Sequence, residues 1–81
     1  MTVTVRLFSL AKDLAGFREK SVELPSGSRA NDVLEELKLR NPKFADWQSS
    51  IRLAVNQEYV ANDHLLHEGD EVAVIPPVSG G

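Results

Sequence analysis

One segment of this 81-residue chain carries a sustained helical stripe. From about Arg29 to Arg40, Val33, Leu34 and Leu37 recur at helical spacing, with Ala30 one turn earlier. Asp32, Glu35, Glu36, Lys38 and Arg40 fall mostly on the opposite, wet side. Ser28 is placed to cap the start and Asn41-Pro42 to stop the end. A helix with one apolar stripe has one layer to bury it against, so the remaining segments must supply that layer.

They alternate, as half-buried strands do. In Thr2–Phe8, Val3, Val5 and Leu7 share one face, while Thr2, Thr4, Arg6 and Phe8 share the other. Ser9 reads as the cap of a short helix through Leu10, Leu14 and Ala15, closed by Gly16. Glu19–Leu24 alternates again and ends at the turn Pro25-Ser26-Gly27, giving an antiparallel pair with the first strand. After the main helix, Lys43–Ser50 carries Phe44 and Trp47 as a short helical or irregular cover, a satellite of the core. Ile51–Val55, the turn Asn56-Gln57-Glu58, Tyr59-Val60 and the β-branched run Glu71–Ile75 complete the strands. A strand at each end, one main helix and a mixed sheet predict an α+β chain of the β-grasp, ubiquitin-like type. Residues 1–77 are expected to form the domain and residues 78–81 a flexible tail.

Face parity predicts a docking surface. If the first and last strands pair, Phe8 and Ile75 emerge with Ala73 on the solvent side of the sheet, and Tyr59 extends the patch. A contiguous apolar patch usually marks an interaction site, and aromatic residues are favoured anchors in such sites. The competing reading folds Phe8 under the first short helix as core.

Composition excludes several functions. The net charge is −3 and the basic residues are scattered, so nucleic acid is not an expected partner. No apolar run approaches the length of a membrane span, and Met1–Arg6 alternates rather than forming a signal peptide. A cytoplasmic protein is expected. There is no cysteine, which removes disulfides, thiolate metal sites and any persulfide on this chain's own side chains. His64 and His67 lack a clear third ligand, so no metal site is expected. Glu68, Asp70 and Glu71 read as an acidic turn beside the exit of the tail, either solvated or read by a basic enzyme surface. No nucleophile–base motif or phosphate-binding glycine loop occurs, so the chain is not expected to be an enzyme by itself.

The last residues are Pro76-Pro77-Val78-Ser79-Gly80-Gly81. Two glycines give a thread without Cβ atoms, narrow enough for an enzyme channel, with the Gly81 carboxylate leading. The segments Leu53–Val60 and Gly69–Gly81, together with Leu7–Gly16, resemble the small subunit of molybdopterin synthase (the MoaD type). The resemblance covers essentially the whole chain. Lys12-Asp13 stands where Arg-Glu is usual, preserving charge, and Ser79 where Thr is frequent.

The resemblance implies a mechanism. An ATP-dependent adenylating enzyme (MoeB type) would convert the Gly81 carboxylate to an acyl-adenylate, and a sulfur donor system would convert that to a thiocarboxylate. In the large subunit of the synthase, the tail Val78-Ser79-Gly80-Gly81 would deliver sulfur to cyclic pyranopterin monophosphate. Phe8, Tyr59, Ile75, Pro76 and Pro77 would bind the partners, in a heterotetramer of two large and two small subunits. No cofactor would be held permanently. Other readings change the acceptor (thiamine thiazole, tRNA thiolation or cysteine synthesis), make the chain a ubiquitin-like protein modifier, or leave an interaction domain with an inert tail.

Overall fold

In the computed structural model, which describes residues 1–76, the two ends of that span lie side by side in one sheet. Strand β1 (Thr2–Leu7) runs parallel to β5 (Glu71–Ile75), with Val5 beside Val72 and Leu7 beside Val74. On its other edge β1 pairs antiparallel with β2 (Glu19–Glu23), and the helix α1 (Ser9–Ala15) connects the two. Strand β3 (Arg52–Val55) pairs antiparallel with both β5 and the short β4 (Glu58–Val60). The described residues thus form a mixed sheet of order β2-β1-β5-β3-β4. Helix α2 (Ala30–Arg40) covers one face, and α3 (Lys43–Trp47) follows it. This is the β-grasp arrangement.

The alternation predicted for the strands is what builds the core. Val3, Val5, Leu7, Val72 and Val74 are buried on the helix side, where they meet Ala30, Val33, Leu34 and Leu37 from the stripe of α2. Burying each Val or Leu side chain contributes about 1.5–3 kcal/mol, so this interlayer contact dominates the stability of a small domain. Phe44 belongs to the main core rather than to a satellite, and it is fully buried. Trp47 packs against it edge-on, with ring centroids 6.0 Å apart.

The helix starts differ from the expected caps. Ser28 does not cap α2; its hydroxyl donates to the Pro25 carbonyl at 2.7 Å and stabilises the preceding turn. Arg29 occupies the cap position, and the Asp32 carboxylate accepts its backbone N–H at 2.7 Å. Ser9 is likewise the first helical residue of α1, with Phe8 in the extended conformation at the cap position. Gly16 ends α1 at φ 84°, a left-handed conformation that glycine adopts without steric cost.

Candidate docking face and tail exit

The register of the sheet places Phe8, Tyr59 and Ile75 together on the face away from α2. Arg6 lies beside Ala73 across the parallel β1–β5 pair, and Ala73 lies beside Ala54 across β5–β3. Ala54 in turn pairs with Tyr59 on β4. The resulting shallow groove, about 330 Å³, has Ala54 and Ala73 on its floor and Phe8, Ile75 and Tyr59 around it. Phe8 is 47% exposed and Tyr59 65% exposed, so neither ring is satisfied by this chain's own core. Phe8 therefore lies outside the core, against the competing reading. Small floor residues and large rim residues leave a concave apolar surface that a partner side chain can fill.

Charged groups frame this face. Arg6 bridges Glu19 at 3.0 Å and Glu71 at 3.5 Å, which ties its guanidinium to both neighbouring strands. The Arg52 guanidinium sits 4.7 Å from the centroid of the Tyr59 ring. That contact fixes the ring at the rim and keeps a cation beside it. Sequence reasoning missed Ala54, Gln57 and Arg52. In β3 the run Leu53-Ala54-Val55 is buried throughout, so no alternation in it marks which side Ala54 faces.

One predicted residue falls elsewhere. Pro76 is buried, so it offers no exposed ring to a partner. Pro77 lies outside the described residues, as do Val78, Ser79, Gly80 and Gly81. The acidic turn is also displaced from its predicted place. Asp70 precedes β5 and Ile75 ends it, so the turn stands a strand's length, about 13 Å at roughly 3.3 Å per residue, from the point where the chain leaves the sheet. Its carboxylates are used internally. Glu68 accepts the Thr2 N–H at 2.9 Å, and Glu71 accepts from Arg6.

Asp70 ties this turn to the β3–β4 connection. Its carboxylate accepts from the Asn56 side-chain amide at 3.0 Å and from the His67 N–H at 2.8 Å. Asn56 also accepts the Glu71 N–H at 3.0 Å through its side-chain oxygen. These bonds hold Asn56 and Gln57 at φ 51° and 73°, the left-handed pair that a two-residue hairpin turn requires. Burial works to raise the Asp70 pKa, but the hydrogen bonds from His67 and Asn56, with the nearby charges of His67 and His64, outweigh it and leave it below 3.8. A depressed folded-state pKa stabilises the fold above the unfolded value and loses that stabilisation as pH falls through the folded value. Asp70→Asn is therefore expected to cost roughly 1–3 kcal/mol at pH 7 in urea denaturation, as hydrogen bonds to a charged group do. The gap between parent and variant should close as the pH is lowered past 3.8. An equal gap at pH 7 and in acid would show that the carboxylate charge is not what holds the turn.

Among the described residues, no group of three or more His, Asp or Glu side chains is arranged to hold a metal ion. No helix among them is long and apolar enough to cross a membrane.

Residues 5–81 match the ThiS family. The chain belongs to the ThiS family. The molybdopterin synthase sulfur carrier subunit of Homo sapiens is 40% identical over 82 residues, spanning 98% of this chain and 93% of that one. Its counterpart in Arabidopsis thaliana is 38% identical over 79 residues, spanning 98% of this chain and 82% of that one. Among solved structures, a protein assigned as molybdopterin converting factor subunit 1 from Pyrococcus furiosus is 40% identical, with a TM-score of 0.83. That likeness covers 96% of this chain and 99% of the other. Small archaeal modifier protein 1 of Methanosarcina acetivorans is 28% identical, with a TM-score of 0.78, covering 99% of this chain and 96% of that one. The β-grasp fold is thus shared by carriers and modifiers, and the fold alone does not choose between them.

Proposed function

We propose that this chain is the sulfur carrier subunit of molybdopterin synthase, with Gly81 as the atom-bearing terminus. The observation that carries this reading is the near full-length identity of 38–40% to sulfur carrier subunits of that synthase. The Gly80-Gly81 ending and the absence of cysteine agree with it, since sulfur would have to ride on a group other than a thiol.

A carboxylate is a poor electrophile because its leaving group would be oxide. Attack of the Gly81 carboxylate on the α-phosphorus of ATP, in an adenylating enzyme, releases pyrophosphate and leaves an acyl-adenylate. AMP is then an adequate leaving group, and a sulfur nucleophile from a donor system displaces it. Where that nucleophile is a persulfide, the product is an acyl disulfide, and a thiol of the donor system cleaves it, being oxidised to a disulfide as the C-terminal thiocarboxylate leaves. The tail then enters the large subunit, its sulfur attacks cyclic pyranopterin monophosphate, and water cleaves the resulting thioester, leaving the sulfur on the precursor and returning the Gly81 carboxylate; two such transfers, each from a loaded carrier, build the dithiolene. Acid–base and phosphate-binding groups belong to the large subunit, and the carrier supplies only the nucleophile and its delivery.

The groove around Phe8, Tyr59 and Ile75 is the face that docks on both partners. Because one face serves both, loading and delivery exclude one another, and the carrier must dissociate between them.

Intact-mass measurement after incubation with ATP, an adenylating enzyme and a sulfur donor tests the chemistry. A gain of one sulfur-for-oxygen exchange at Gly81 is expected, followed by its loss when the large subunit and the pyranopterin precursor are added. No gain with an enzyme competent on another carrier would overturn the reading. The likeness to small archaeal modifier protein 1 favours a second reading, an isopeptide-forming modifier. Conjugates that place Gly81 on lysines of target proteins would establish it.

A further inference from the structure

A second surface lies on the other side of the molecule, where β2 is the outermost strand of the sheet. The Leu7 N–H donates to the Arg18 carbonyl at 2.9 Å, and the Leu24 N–H to the Met1 carbonyl at 2.8 Å. In an antiparallel pair, alternate residues make the ladder bonds. Lys20 and Val22 therefore bond inward to β1. The N–H and C=O groups of Glu19, Ser21 and Glu23 point out along an open edge, a ready template for another strand.

Between this edge and α2 runs a groove of about 220 Å³. Its apolar floor is formed by Val22, Val33 and Leu37. One end is cationic. The Lys20 ammonium and the Arg40 guanidinium lie 5.7 and 5.0 Å from the centroid of the Phe17 ring. Among the described residues, neither cation is ion-paired. Glu36 also lines the groove, one turn before Arg40 on α2, while the Glu23 carboxylate accepts from the Thr2 hydroxyl on the other face of the sheet. Two unneutralised cations held together on one aromatic ring form a receptor for a carboxylate.

We propose that this edge and groove bind an extended peptide segment of a partner protein, one that adds as a strand to β2. Backbone pairing with Glu19, Ser21 and Glu23 would anchor the segment, and alternate apolar side chains would fill the groove. Antiparallel pairing is the more stable arrangement per residue, and it places the C-terminal end of the segment beside Lys20 and Arg40. The segment is therefore apolar first and acidic after. A second copy of this chain is the poorer occupant. The register that pairs all of β2 with itself sets Glu19 opposite Glu23 twice, and like charges directly opposite are destabilising. The proposal does not depend on the chemistry of the tail. The groove lies on the helix side of the sheet, so both surfaces can be occupied at once, and a segment bound here could hold the carrier near its partners while the Phe8 face is exchanged.

The test is a titration of the isotope-labelled full chain with the peptide acetyl-Lys-Val-Ile-Val-Asp-Glu-Asp-amide, read by amide chemical shifts. Saturable shifts are expected at Glu19, Ser21 and Glu23. Replacing the three acidic residues of the peptide by lysine should weaken binding at least about tenfold, as should the K20E/R40E double variant, because like-charge juxtaposition costs several kcal/mol. Three results would overturn the proposal: no saturable shifts, shifts confined to the Phe8 and Tyr59 face, or no loss of affinity on charge reversal. Shifts of the β2 amides with protein concentration alone would give the edge to a second copy instead.

Discussion

Gly81→Ala is expected to lower thiocarboxylate formation and sulfur transfer by about 100-fold or more, while leaving the fold unchanged. The size of the effect follows from where the new methyl group sits. It is attached to the carbon next to the reacting carboxyl, so it changes the position of the atom that must meet the α-phosphorus of ATP, and later the precursor. Misplacement of a reacting group by about 1 Å is enough to cost roughly 100-fold. A channel fitted to a glycine thread would be overpacked by a Cβ, and overpacking of a fitted site is itself unfavourable. The core is unaffected, since its buried residues run from Val3 to Val74. Three measurements separate these statements: intact mass for loading, synthase turnover for delivery, and thermal unfolding for the fold. Loading and turnover at the parent rate would remove Gly81 from the reaction and leave the tail without the role proposed for it.

The architecture was legible in the sequence because its signals were periodic. The stripe Ala30, Val33, Leu34 and Leu37 is buried as its spacing requires, and both terminal strands turn their valines inward. Phe8 falls on the outer face for the same reason, one residue beyond the inward Leu7. What could not be read depended on pairing between distant segments. Ala54 enters the outer groove only because β3 lies beside β5, a fact that no local pattern in Leu53-Ala54-Val55 records. The acidic turn reads as a neighbour of the tail because both adjoin the same strand, although they occupy its opposite ends. Cap positions depart from the sequence pattern where a small polar side chain has a second option. Ser28 bonds backward to Pro25, and Asp32 takes over the start of the helix. Serine competes between such local bonds generally, so its presence near a helix start marks the region better than the cap itself.

Phe8→Asp is the complementary experiment, and its expected result is the reverse of the first: association fails while the chemistry survives. Phe8 projects from the end of β1 into the outer groove, 47% exposed, with Ile75 and Tyr59 around it. Aromatic residues at the centre of an interface commonly cost 2 kcal/mol or more when removed, about 30-fold in Kd. A carboxylate adds to that loss, because docking would bury it without a partner. The fold should tolerate the change unusually well. Phe8 stands at the cap position of α1 in an extended conformation and makes no side-chain capping bond. Aspartate is among the preferred residues there, so the variant gains a cap as it loses a ring. Calorimetry with the large subunit and with the adenylating enzyme should show affinity falling together for both, since one face is assigned to both. At saturating carrier, the loading rate should return to that of the parent, which places the defect in KM and not in kcat. Loss of affinity for one partner alone would mean that the two enzymes dock on different surfaces, and loading and delivery would then no longer exclude one another.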